Sequence, residues 1–179
     1  MIHLSAERKR YIIRAVIIYG ILIFAFSVLQ SSFFSKLTFF GAIPNIMIIF
    51  VVGTALYEGE RTGAVVGIAA GVFIEAMSGM GLPVMPLFLF LVGYFCGIIA
   101  KEFSNEGFVL YLIYMFVACL CGAGITLIQT AMFSDNFNLP QILGKIIVPE
   151  FAYTFILSLP CWFLFRLIKK FLHPKIKKI

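Results

Sequence analysis

Glu75 is the residue that first invites a chemical reading. It sits near the end of the apolar stretch TGAVVGIAAGVFIEAMSGMG (residues 62–81), in which Gly63, Gly67 and Gly71 recur at every fourth position. A carboxylate within an apolar segment is costly, and its default reading is a working group for an ion or a substrate. Depth tempers that reading. On a helix over 62–78, Glu75 lies about 5 Å from one end at 1.5 Å per residue, and a carboxylate there can reach the surface. Two roles stand side by side: a functional acid, or a hydrogen-bond acceptor between helices. Glu150, just after Pro149, lies at similar depth in a later run. The two acids are candidates to approach one another or to pair with Lys36 or Lys145. Asn45, after Pro44, opens another run, where proline suits the first turn and asparagine supplies a cap.

The glycines call for a different chemistry, that of contact. Residues four apart form one ridge of a helix, so Gly63, Gly67 and Gly71 make a shallow groove that lets another backbone come close. Ala64, Ala69 and Ala70 widen it, and Gly93 and Gly97 repeat the device one segment later. The groove accepts either a helix of this same chain or a partner's helix.

These residues must be positioned by membrane helices. The chain has 179 residues, 62% apolar and 12% charged, with a mean hydropathy of +1.07. Successive apolar runs match the length needed to cross a hydrocarbon core of about 30 Å. Six spans are expected, over residues 11–29, 43–57, 62–78, 84–100, 108–132 and 146–168, forming one polytopic membrane domain over 1–179. The second and third are short, which suits spans that are thin, little tilted or lined partly by protein. The charged EGER at 58–61 separates them, since each charge at mid-membrane costs roughly 3 kcal/mol. The first run follows AERKR but exceeds a signal-peptide core and lacks a small-x-small site after it, so it is expected to be retained as a helix.

With six spans, twelve lysines and arginines fall on one side and only Lys36 and Lys145 on the other. The positive-inside rule then puts both termini in the cytoplasm. The net charge of +6 is thereby an orientation and membrane-lipid signal rather than one for nucleic acid. The expected outer loops are 30–42, 79–83 and 133–145, with 35–42 either a loop or a re-entrant element. None is long enough for a domain, so no catalytic residues, cofactor or metal site are expected. Cys96, Cys119, Cys121 and Cys161 lie inside apolar runs without metal spacing and read as small core residues. Tyr57, Tyr94, Tyr111 and Trp162 are candidate interface anchors.

Several segments together resemble a known family. They are VLQSSFF (28–34), PNIMIIFVVGTALYEGERTGAVVGIAAGVFIEAMSG (44–79), LFLFLVGYFCGII (87–99) and VPEFAYTFILSLP (148–160). In order and spacing they resemble the rod shape-determining protein MreD family of small bacterial inner-membrane proteins. The chain departs from that pattern at Asn45 and Glu75, where the family often has aspartate, and at Thr154, where it often has asparagine.

The resemblance implies a non-enzymatic scaffold of the elongation machinery that helps organise peptidoglycan synthesis and maintain rod shape. It implies MreC as partner, with MreB, RodA and a penicillin-binding transpeptidase. It also implies a six-helix fold similar to the substrate-binding component of energy-coupling-factor transporters. The alternative is such a vitamin-binding subunit itself. That role needs a polar pocket near the outer face and an alanine ridge on the first helix, and Ala15 and Ala25, ten residues apart, do not form one.

Overall fold

A computed structural model describes residues 2–34, 43–78, 84–103, 107–133 and 139–172, and nearly all of these are helical. Helix α1 (Ile2–Val28) continues into a π-helical turn, Leu29–Phe34. Then follow α2 (Ile46–Glu58), α3 (Glu60–Ser78), α4 (Val84–Phe103) and α5 (Phe108–Phe133). A last continuous stretch comprises α6 (Leu139–Ile142), a π-helical turn (Leu143–Ile147) and α7 (Val148–Leu172). Pro149 cannot donate to the carbonyl four residues back, and the wider hydrogen-bond spacing just before it accommodates that loss.

Four segments are long and apolar enough to cross a membrane: Ile13–Ser32, Val84–Glu102, Phe108–Met132 and Pro140–Leu167. The chain is a multi-pass, all-α membrane protein. The expected spans at 43–57 and 62–78 are also helices, but α2 spans only about 20 Å and neither α2 nor α3 reaches the length and apolarity of the other four. Two expected loops are corrected. Residues 29–34 extend the first helix, and helix resumes at Leu139 rather than 146. The question of a re-entrant element at 35–42 lies outside the described residues, as do Lys36 and the 79–83 loop.

Helix α2 is the core of the molecule. Every residue from Ile46 to Leu56 is buried, so this helix meets protein on all sides. That burial explains how so short an apolar helix is stable: its surroundings are side chains rather than lipid. Phe50 holds three neighbours together, with ring centroids 5.3 Å from Phe26, 6.3 Å from Tyr19 and 6.0 Å from Phe165. The Phe165 ring of α7 lies directly over Gly53, where a side chain would overlap it.

Asn45 caps α2, its side chain accepting from the Ile48 N–H at 3.4 Å. Pro44 therefore precedes the cap rather than entering the first turn. At the other end Gly59 alone joins α2 to α3. Its φ of 85° is a conformation that glycine adopts without strain, and its N–H donates to the Ala55 carbonyl at 3.0 Å. One glycine thus reverses the chain between two buried helices.

Candidate functional site

The glycine ridge of α3 is filled by α4 of the same chain. Gly71 faces the Pro86 backbone, Gly67 faces the Leu89 carbonyl, Gly63 faces Gly93, and Gly97 faces the backbone of Glu60. The pairs step antiparallel along both helices at intervals of three to four residues. A methyl group at Gly63 would lie 2.7 Å from the Gly93 carbonyl oxygen and 2.7 Å from the Ala55 side chain. Gly93 and Gly97 are therefore the complementary half of one interface. In a bilayer, where lipid is as apolar as leucine, such close backbone approach is what drives helices together.

Both ends of this hairpin carry a carboxylate contact. Glu75, near the end of α3, accepts a hydrogen bond from the Met85 N–H at 3.1 Å. Met85 lies in the first turn of α4, where backbone N–H groups lack partners within the helix and the helix dipole favours an anion. Of the two roles open to Glu75, this geometry is that of the acceptor between helices. At the opposite end Glu60 begins α3 and lies 3.6 Å from Lys101, in the last turn of α4. Each charge also suits its own helix end. The Glu60 carboxyl is held below its ordinary range, first by its own backbone N–H and further by Lys101.

Glu150 belongs to a separate place. It borders a cavity of about 10 Å³ with Ile48, Cys119, Gly122, Phe151 and Thr154, between α2, α5 and α7. That is room for about one water. The Thr126 hydroxyl faces its carboxylate. Glu75 thus joins α3 to α4, while Glu150 faces α2 and α5.

Asn45 and Thr154 meet. The Asn45 N–H donates to the Thr154 hydroxyl at 3.0 Å, and both residues are buried. The contact ties the start of the central helix to α7 across 109 residues of sequence.

Tyr111 corrects an expectation. It is 1% exposed rather than an interface anchor, and its hydroxyl donates to the Ser158 carbonyl at 3.0 Å. The Ser158 hydroxyl donates to the Phe155 carbonyl at 2.6 Å, just before Pro160 inside α7. Tyr94 is exposed, and Trp162 packs edge-on to Phe108 at 5.2 Å beneath the Arg166 guanidinium. The Tyr111–Ser158 pair was not legible beforehand; a serine two residues before an intrahelical proline was the available signal. Cys96 and Cys119 are buried, Cys161 is half-buried and Cys121 exposed, and all four are free thiols.

A groove of about 400 Å³ lies between α1 and α3. Ala15, Tyr19 and Ile23 form one wall and Val66 and Ala69 the other, while Glu58, Arg61 and Thr62 stand at one end. Gly20 also lines it, and nothing lies within 4 Å of where its side chain would start. Among the described residues no three histidine, cysteine or acidic side chains gather as a metal site.

No family model, curated protein or solved structure matches this chain. The functional reading therefore rests on the residues and their geometry, together with the resemblance of the quoted segments.

Proposed function

We propose that this protein is a non-enzymatic membrane scaffold of the bacterial elongation machinery, similar to MreD, in the cytoplasmic membrane with both termini inside. It would bind MreC and, with it, MreB, RodA and a penicillin-binding transpeptidase, and so help organise peptidoglycan synthesis. One observation carries this reading over a vitamin-binding subunit. Of the five polar side chains expected near the outer face, Gln30, Asn45, Glu75, Glu150 and Thr154, three (Asn45, Glu75 and Thr154) are engaged in capping and joining helices, and Glu150 borders a cavity with room for about one water. A recess between α1 and α3 is apolar-walled. A subunit that captures a polar vitamin needs the converse, convergent polar groups around an enclosed pocket.

The test is purification of the full chain in mild detergent from its own host, followed by identification of what accompanies it. A single-span protein with an extracytoplasmic domain is the expected companion, and depletion of the protein should round the cells. A stoichiometric vitamin with no such companion would overturn the scaffold in favour of the transporter subunit.

A further inference from the structure

We propose that the cavity between α2, α5 and α7 binds one ordered water, held between the Thr154 hydroxyl and the Glu150 carboxyl. This does not rest on the scaffold reading. Thr54, Thr130 and Ser158 each donate their hydroxyl hydrogen to a carbonyl about one turn back in their own helix. Among the described hydrogen bonds Thr154 makes none of that kind. Its hydroxyl oxygen accepts from the Asn45 N–H, and its hydrogen remains to be donated. Thr154 is 2% exposed, so that hydrogen does not meet bulk water, and its side chain borders the cavity. A hydroxyl hydrogen left unmet in an apolar interior is costly.

Glu150 supplies the other partner. It borders the same cavity, and a carboxyl group keeps acceptor lone pairs whether or not it is ionised. The volume of about 10 Å³ suits a single water and nothing larger. A water there accepts from Thr154 and donates to Glu150, which meets the minimum of about two hydrogen bonds for a buried water. A divalent cation would need about six oxygen ligands or more. Only two of the side chains at this cavity, Glu150 and Thr154, carry oxygen.

The water completes a hydrogen-bond chain that runs in one direction. The Asn45 N–H donates to Thr154, Thr154 to the water, and the water to Glu150, whose carboxylate the Thr126 hydroxyl of α5 also faces. The start of α2 is thereby tied to α7 and, through one carboxyl, to α5.

The test is X-ray radiolysis of the full chain in detergent, in which hydroxyl radicals born from bound water oxidise the side chains beside it. Cys119 borders the cavity and is 4% exposed; Cys96 is 8% exposed, lies away from the cavity lining and serves as the reference. In wild type Cys119 should be oxidised several-fold faster than Cys96. A water-soluble maleimide, too large for the cavity, should leave Cys119 unmodified. Thr154→Ser and Glu150→Gln keep the donor and the acceptor and should keep the excess, whereas Thr154→Val and Glu150→Leu should lose it. Gly122→Ala should lose it too, because its added carbon enters at the cavity wall, 2.9 Å from Ile48 Cδ1, the far end of a flexible side chain. An unchanged thermal midpoint for Gly122→Ala separates loss of the water from loss of the fold, and the wild-type comparison stands whatever the variants do. Equal rates at Cys119 and Cys96 in wild type, or maleimide modification of Cys119, would overturn the proposal. So would an excess that survives in both Thr154→Val and Glu150→Leu, or one abolished by replacing potassium with sodium, which would make the occupant a cation.

Discussion

Helix α3 packs against α2, α4 and α1, and the last two contacts could hardly differ more. On its α4 side, glycines at 63, 67 and 71 meet backbone, and a carboxylate contact lies toward each end. On its α1 side lies an open slot, and Gly20 of α1 has nothing against it. Both faces carry small residues. What separates them is whether the opposing helix is equally bare where it crosses. Gly93 and Pro86 let α4 come close to α3, whereas on the other side Tyr19 and Ile23 of α1 line the open slot. Small residues permit close approach; complementarity over several turns produces it.

The sharpest way to break this contrast is to place the same side chain on each side. Gly67→Leu drives carbon into the Leu89 backbone, which has no rotamer to yield. It should cost about 3 kcal/mol or more and lower the thermal midpoint and monodisperse yield in detergent. Gly20→Leu enters open space and replaces a poor helix former, so stability should hold or rise by up to about 1 kcal/mol. Equal damage from both would erase the distinction between the two interfaces.

A smaller effect is expected from removing single polar contacts. Thr154→Val keeps shape but leaves the buried Asn45 N–H without its acceptor, a loss of about 1–3 kcal/mol. Glu75→Ala removes the acceptor at the start of α4 and should cost about 1 kcal/mol. Amide hydrogen exchange at the first turns of α2 and α4 respectively would show whether each loss is local. If Glu75→Ala leaves α4 unchanged but abolishes function, the carboxylate is a working group after all.

The smallest expected effect is at the other end of the hairpin. The Glu60 carboxyl titrates lower in the folded protein than its ordinary value of 4.5. Its contribution to stability is thus present above that pH and is lost as pH falls through the lowered value. Glu60 lies at the surface end of α3, so the change in thermal midpoint should be slight and should vanish in Glu60→Gln.

Much of the architecture was legible because a bilayer restricts the choices. The six helical stretches follow from apolar run length, and a helix lined by protein was one of the readings open to the short 43–57, which α2 is on every side. The four-residue spacing of glycines identified a contact ridge, since helical geometry is local. It could not identify the occupant, which depends on α4 crossing in antiparallel register. Tyr111 was misread for the same reason: tyrosine near a span end suits an interface equally well, and only the placement of α7 offers its hydroxyl the Ser158 carbonyl. Asn45 was recognisable as a cap from its neighbours. Its bond to Thr154 joins residues far apart in sequence and had no local sign.

The sequence by itself determined that this is a helical membrane protein, where the middle of each helix lies, and which face of α3 could be approached closely. Those properties depend on apolar length and on a 3.6-residue period, both carried by neighbouring residues. Only the tertiary structure decided that α4 fills the glycine ridge, that Glu75 serves the first turn of α4, and that a slot stays open beside α1. Each of these depends on which surfaces meet, and long-range packing decides that.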